Sequence, residues 1–286
     1  MALHQNNKHK NGYDLDALIL EDPGLEQWVF TNTFGTKTID FSNPKAVRLL
    51  NKSLLKAHYN IDFWEFSEEH LTPPIPGRVE YIHRLKDLLL STNTKVTSPV
   101  LDIGTGASLI YPLLGTSTYK WTFVGTDISR DSLKSAQLLI EKNNLSESIL
   151  LRHQTDPQKI VEGVIKKGDQ FTATICNPPF FKSEKDAQTA NSRKNKNLGL
   201  TLDTRNFGGN ASELWYKGGE KAFLHNYIYQ SAQFKNQCIW FTSLVSNKEN
   251  LKSLKTSLKK LQAKSIEIIP MIQGNKTSRI LAWTFI

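Results

Sequence analysis

The tetrapeptide Asn177-Pro178-Pro179-Phe180 brings together three kinds of group that can hold a planar amine: an amide side chain, prolyl carbonyls and an aromatic ring. The ring can stack on a flat base while the oxygens accept hydrogen bonds from its NH2 group. The motif closes an apolar run, Phe171-Thr172-Ala173-Thr174-Ile175-Cys176, that reads as a buried strand, and two prolines end such a strand abruptly. Upstream stands Asp102-Ile103-Gly104-Thr105-Gly106, also at the end of a predicted strand. Glycines suit a strand that turns directly into a helix against a bound cofactor, where positive φ or close backbone approach excludes a side chain. The place of a third glycine in the dinucleotide fingerprint is taken by Leu109, and Tyr111-Pro112 disfavours a long regular helix there. Both features argue against a nicotinamide site.

Asp102, just before the glycines, could orient the loop or meet a cofactor ammonium group. Asp127 ends the next predicted strand, where an acid can accept hydrogen bonds from both ribose hydroxyls of an adenosine. The simpler reading of Asp127 is an acid at a helix N-terminus, since Ser129 and Asp131 follow. Arg78 and Tyr81 could reach a methionine carboxylate, or could merely open a helix. A glycine loop followed by Asn-Pro-Pro-Phe is the order of an S-adenosylmethionine-dependent amino methyltransferase. Methyl transfer from a sulfonium is an in-line displacement, and the exocyclic amine of adenine is a poor nucleophile because its lone pair is delocalised. Accepting both of its N–H groups, at the Asn177 side chain and the Pro178 carbonyl, favours a more pyramidal nitrogen. Phe180 would fix the plane of the base. Neither a metal nor a strong base is required. A base inside a duplex cannot reach such a pocket, so the target must be single-stranded, bulged or flipped out.

The elements that must position these residues follow from periodicity. Strands are predicted at 99–103, 121–126, 148–154, 171–176, 237–244, 265–270 and 279–286. Helical patterns lie at 131–142, N-capped by Ser129 or Asp131, and at 250–262. The last two strands are joined by the short turn Gln273-Gly274-Asn275-Lys276, which leaves no room for a helix and makes the pair a hairpin. The expected architecture is α/β: a Rossmann-like seven-stranded sheet of the class I methyltransferase kind, its last strand antiparallel, with a small N-terminal, mainly helical module. Residues 1–75 form that module, with helices at 14–20 and 44–59, and residues 76–286 the methyltransferase domain. Residues 71–78, Leu-Thr-Pro-Pro-Ile-Pro-Gly-Arg, read as a rigid linker between them. The polar, glycine-rich stretch 182–215 is too long for an idle connection and reads as a lid or binding loop, with Gly218-Gly219-Glu220 as hinge or cap after Trp215.

The 286-residue chain has no apolar run near the roughly 20 residues of a membrane span, and its N-terminus has no apolar core of a signal peptide. Cys176 and Cys238 lie in apolar runs and read as buried, reduced thiols, with no metal-ligand spacing. These features point to a cytoplasmic protein without a metal. The net charge of +9 suggests a polyanionic partner, most simply nucleic acid. Candidate phosphate contacts are the loop cluster Arg193, Lys194 and Lys196 and the face Lys252, Lys255, Lys259 and Lys260, the latter more simply an ordinary solvated helix face.

The runs 102–112 and 177–180, with Asn206-Phe207-Gly208-Gly209, Trp283-Thr284-Phe285, residues 73–83 and the opening His9-Lys10-Asn11-Gly12-Tyr13-Asp14, resemble the RlmF family over nearly the whole chain. That family consists of bacterial 23S ribosomal RNA adenine-N6 methyltransferases. The resemblance extends to the eukaryotic enzyme acting on U6 small nuclear RNA, whose long C-terminal extension this chain lacks. It implies S-adenosylmethionine as methyl donor and one adenine of 23S ribosomal RNA as target, presented as free RNA or in a partly assembled large subunit. It also implies cofactor contacts at Arg78, Gly104, Ser108 and Asp127, catalysis by Asn177 to Phe180, and an RNA grip by Lys8 and Lys10. With the residue-level reading, the cofactor set is Arg78, Asp102, Gly104, Gly106, Ser108, Asp127 and Asn177. Competing readings are a protein-glutamine N5-methyltransferase acting on a translation factor, a DNA adenine methyltransferase and a non-catalytic RNA-binding module. Phe180, where the glutamine enzymes usually carry Tyr, and the basic balance disfavour the first, and the intact glycine loop disfavours the last.

Overall fold

The computed structural model describes residues 2–183, 185–186, 214–273 and 276–286. Helices α1 (Leu15–Glu21) and α2 (Pro44–Tyr59) start where side chains satisfy amides that have no intrahelical partner. Asp14 accepts from Ala17 N, and Asn43 accepts from Lys45 N and Ala46 N. Between them lie a 3-10 turn, Pro23–Trp28, and a small antiparallel hairpin of β1 (Val29–Thr31) and β2 (Lys37–Ile39). Strands this short carry too little alternation to be read from sequence.

Helix α3 (Ile75–Ser91) corrects the expected linker. Only residues 71–74 connect, and Ile75 to Arg78 already form the first helical turn, with Pro76 in that turn where a missing N–H costs nothing. Tyr81, proposed as a cofactor contact, is instead fully buried in the core, its hydroxyl 2.8 Å from Thr242 Oγ1. Helix α4 (Ile110–Tyr119) forms in spite of Pro112, which also falls in a first turn.

The sheet continues with β3 (Val100–Ile103), β4 (Phe123–Asp127), helix α5 (Arg130–Lys142), β5 (Ile149–His153) and β6 (Phe171–Cys176). Ser129 caps α5 through Ser132 N, one of the two caps expected. Helix α6 (Gly219–Ser231), β7 (Cys238–Val245), helix α7 (Asn250–Lys260), β8 (Ser265–Gln273) and β9 (Lys276–Thr284) complete the chain. The strand order is β5-β4-β3-β6-β7-β9-β8. The first five of these pair in parallel, and β9 inserts antiparallel between β7 and β8. All seven predicted strands are present, and the antiparallel final strand is as expected. The hairpin residues Gly274 and Asn275 lie outside the described residues.

One apolar layer runs from Leu15 of α1 through Leu54 of α2, Ile82 of α3 and Leu114 of α4 to Ala173 of β6. On the other face Leu224 and Ile228 of α6 and Leu254 and Leu258 of α7 pack with Phe241 and Trp283. The N-terminal residues therefore share their core with the sheet. The segment before α1 is held by a buried carboxylate: Glu80 of α3 accepts from His4 N (2.9 and 3.1 Å), Asn7 Nδ2 (3.0 Å) and Arg84 Nε (2.9 Å). Replacing Glu80 by Ala should leave these donors without their acceptor, lower stability in urea by roughly 3 kcal/mol and expose residues 4–10 to protease. A loss under 1 kcal/mol would mean that the carboxylate does not anchor the arm.

Candidate active site

Strands β3, β4 and β6 are neighbours in parallel, so their carboxyl ends open onto one cleft, where open α/β sheets bind ligands. It encloses about 1270 Å³ of empty space counted out to its mouth. Arg78, Gly104, Gly106, Ser108 and Asp127 line one part, and Asn177, Pro178, Pro179 and Phe180 another. Asp102 lies beneath the glycine loop, 1 % exposed. Apart from Asp102, the residues proposed for cofactor and for catalysis thus line a single cavity.

The glycine loop needs its glycines. Gly104 and Gly106 stand at φ +74° and +64°. Leu109, at the place of the absent third glycine, also adopts positive φ, 51°, with its side chain fully buried. Two bonds from Gly104 N and Thr105 N to Thr126 O, each 2.9 Å, tie the loop to β4. Asp127 accepts from Gly106 N at 2.9 Å and Ser129 N at 2.8 Å, so one carboxylate fixes the loop and the entry to α5. Asp127 braces the helix start, as its simpler reading expects, and also lines the cleft.

Among the described residues, Arg78 Nε, both Asp102 oxygens, Thr105 Oγ1 and Asn177 Oδ1 are buried without a hydrogen-bond partner, as are Thr118 Oγ1 and Arg152 Nε away from the cleft. Each such atom costs about 1–3 kcal/mol or more, and three of the residues bearing them, Arg78, Thr105 and Asn177, line one cleft, an arrangement suited to a polar ligand. Burial pushes the Asp102 carboxyl up to about 7; Thr105, close by without hydrogen-bond geometry, opposes the rise, the Asp127 charge adds to it and Arg78 opposes it. Arg78 Nη1 donates to Tyr111 OH at 3.2 Å, and the guanidinium lies 5.7 Å from that ring's centroid. Burial raises the Tyr111 hydroxyl to about 12 and pushes the Cys176 thiol up, so neither is an acid or nucleophile near neutral pH. Cys238 is likewise a buried free thiol.

The segment 177–181 is held by residues 214–216. Phe180 N and Phe181 N both donate to Leu214 O at 3.0 Å, and Tyr216 N donates to Phe181 O at 3.0 Å. Phe180 keeps 41 % of its surface exposed at the mouth. Glu220 is structural: its carboxylate accepts from Ser246 N (2.6 Å) and Asn250 Nδ2 (2.7 Å), bracing the start of α7.

Several contributors carried no sequence signal. Trp64, 1 % exposed, donates from Nε1 to Ser108 O at 2.9 Å and so props the glycine loop from the N-terminal segment. His70, Leu71 and Pro73 supply part of the lining, and Gln154, Lys159 and Ile160 after β5 another part. The proposed RNA contacts Lys8 and Lys10 lie outside the cleft lining. Both are exposed, Lys8 bonding to His58 O over the Tyr59 ring and Lys10 to Gln5 O at 2.6 Å. Lys252, Lys255, Lys259 and Lys260 form an exposed face of α7. Arg193, Lys194, Lys196 and the run Asn206 to Gly209 lie outside the described residues. Among the described residues no cluster of metal-ligating side chains occurs, and no helix is long and apolar enough to cross a membrane.

A family model described as RNA methyltransferase matches residues 1–286. The chain is 48 % identical to ribosomal RNA large subunit methyltransferase F of Pseudoalteromonas translucida, covering 99 % of this chain and 93 % of that one. It is also 48 % identical to the protein of that name from Christiangramia forsetii, covering 99 % and 100 %. Among solved structures, the human METTL16 catalytic domain in complex with the MAT2A 3'UTR hairpin 1 matches with TM-score 0.85 and 29 % identity, covering 100 % of this chain and 96 % of that one. The N-terminal domain of human METTL16 in complex with SAH matches with TM-score 0.81 and 27 % identity, both chains being covered in full.

The raised carboxyl of Asp102 has a measurable consequence. Because the folded protein holds its proton up to about 7 while the unfolded chain loses it near 3.8, this group costs stability progressively as pH rises between those values. Asp102→Asn should therefore raise the melting temperature of the ligand-free protein, and by more at pH 8 than at pH 5. An equal gain at both values would place the carboxyl at its ordinary range.

Proposed function

The chain belongs to the RNA methyltransferase family, and we propose that it methylates the exocyclic N6 of one adenine in 23S ribosomal RNA, with S-adenosylmethionine as donor. The observation that carries this reading is the set of unpartnered buried groups on Arg78, Thr105 and Asn177, which line one cleft at the strand ends, with Asp102 beneath its glycine loop. They match the two ligands the reaction needs. Asp102 would meet the ammonium group of the donor, Arg78 its carboxylate and Asp127 its ribose hydroxyls, while Gly104, Gly106 and Ser108 let the backbone approach closely. When bound, the donor supplies an electrophilic methyl group.

The remaining chemistry is done by this chain's residues. Asn177 Oδ1, buried and without a partner, accepts one N–H of the adenine amine, and the Pro178 carbonyl accepts the other. This localises the nitrogen lone pair toward the methyl. Phe180 stacks on the base and holds it at the angle of attack. The proton departs to solvent after the methyl arrives. A target adenine must leave its stack to enter, which suits an unpaired or flipped-out nucleotide.

The large-subunit substrate is supported by relatives whose name states it, and adenine N6 by the Asn-Pro-Pro-Phe motif. A ribosomal substrate supports a cytoplasmic location. Residues 1–75 would act as an RNA-gripping module, with phosphates neutralised by Lys8, Lys10, Arg193, Lys194 and Lys196, giving salt-sensitive binding. No metal enters the reaction.

The test is methyl transfer from labelled S-adenosylmethionine to ribosomal RNA taken from cells lacking this protein, followed by nucleoside analysis. A single new N6-methyladenosine in large-subunit RNA is expected. Label in a protein fraction with none in RNA would shift the assignment to glutamine methylation. Asn177→Ala should reduce turnover by about 100-fold or more while S-adenosylhomocysteine still binds; retained turnover would remove Asn177 from the catalytic role.

A further inference from the structure

We propose that Trp215 is the opposite wall of the base pocket, so that the target adenine is clamped between its indole and the Phe180 ring. The inference rests on the function proposed above and adds a residue to it. Three large apolar side chains on the cleft are more than a third exposed: Ile128 at 44 %, Phe180 at 41 % and Trp215 at 36 %. Ile128 follows Asp127, beside the ribose acid. The two aromatic rings belong to the other end, at the Asn177 motif. Exposed aromatic surface in a cleft forgoes burial worth a few kcal/mol, and a planar ligand placed between the rings restores it.

The backbone makes Trp215 part of the catalytic motif rather than of a loose connection. Leu214 O accepts from both Phe180 N and Phe181 N, Tyr216 N donates to Phe181 O, and Phe181 and Trp215 form a bridge pair. Trp215 is therefore registered directly against the residue after Phe180. Its neighbours hold it there. Leu214 is buried, and Tyr216 packs edge-on against Phe223 with ring centroids 5.3 Å apart and accepts from Asn226 Nδ2 at 2.6 Å. Tyr216 O accepts from Gly219 N at 2.7 Å, and Gly218 and Gly219, at φ +89° and +70°, turn the chain straight into α6. A Cβ on Gly219 would come within 2.9 Å of Lys182 Cγ, so this turn also packs against the chain just beyond Phe181. The segment is thus held on both sides of Trp215, whose side chain lines the cleft and stays 36 % exposed.

An indole opposite a phenyl ring suits a purine, whose two fused rings overlap both surfaces more fully than a pyrimidine does. Stacking of a base on one aromatic residue changes affinity by about 5- to 150-fold. Trp215 would act chiefly in holding the flipped base, and so in the RNA term of the kinetics rather than in cofactor binding.

The test compares wild type, Trp215→Ala and Trp215→Phe on ribosomal RNA from cells lacking the protein, with S-adenosylhomocysteine affinity measured in parallel. Trp215→Ala should raise the KM for RNA about 10-fold or more, with cofactor affinity within twofold, and Trp215→Phe should recover most of the loss. An unchanged kcat/KM in Trp215→Ala, a Phe variant no better than Ala, or a matching loss of cofactor affinity would each overturn the clamp. A wild-type protein that modifies no adenosine would overturn the underlying assignment instead, so the two failures are distinguishable.

Discussion

The site depends on how β6 parts from β7. Backbone pairing between them is recorded at Phe171 with Cys238 and at Ala173 with Trp240. One residue further, side chains take over: Thr242 N donates to Thr174 Oγ1 at 2.8 Å, and Thr242 Oγ1 donates to Thr174 O. Hydroxyls inserted into a ladder satisfy the same donors and acceptors at a wider spacing, so the strands can diverge without orphaned amides. Two tyrosines fix this insertion from opposite faces of the sheet. Tyr81 of α3 bonds Thr242 Oγ1, and Tyr227 of α6 bonds Thr174 Oγ1. Every member is fully buried, which makes the network rigid because each lost bond would leave a desolvated polar group. Asn177 follows three residues after Thr174 and inherits this placement.

The same cleft is where the fold is least content. Positive φ at Gly104, Gly106 and Leu109, a protonation-prone carboxyl at Asp102 and unpartnered atoms on Arg78 and Asn177 all sit within it. None of these helps the protein fold. The compensation lies beside it, in Asp127 holding two backbone amides, Trp64 holding Ser108 and a core continuous from α1 to β6. A site preorganised in this way binds a polar ligand with little further ordering, since its donors and acceptors already have no alternative partner.

What the sequence disclosed follows from range. Strands of the sheet carry their signal within a few residues, as unbroken apolar runs ending in Asp127 or in Asn-Pro-Pro, and all seven were legible. The glycine loop and the tetrapeptide were legible for the same reason. Their meeting in one cleft was an inference from parallel strand order, and β3 lying between β4 and β6 makes it physical. The failures share the opposite character. Pro76 and Pro112 read as breakers, yet each falls in a first turn, where position rather than identity decides. Tyr81 read as a ligand contact because it is polar and three residues from Arg78, but its partner is Thr242, far along the chain. Trp64 gave no sign because its role is a contact with Ser108, far along the chain.

Helix α3 shows why the N-terminal residues cannot be treated as an appendage. Its first turn places Arg78 in the cleft, Glu80 holds the arm through His4 and Asn7, and Tyr81 enters the threonine network. These functions fall on successive positions of one helix, so their side chains radiate in different directions from a common rigid axis. A force that lifts the arm acts on the same two turns that hold the Arg78 guanidinium in the cleft and brace the strand before Asn177. The arm carrying Lys8 and Lys10 is therefore joined to the chemistry by a single short element rather than by a chain of loops. Strengthening or weakening the arm's attachment should be felt at the cleft without any change in the residues that line it.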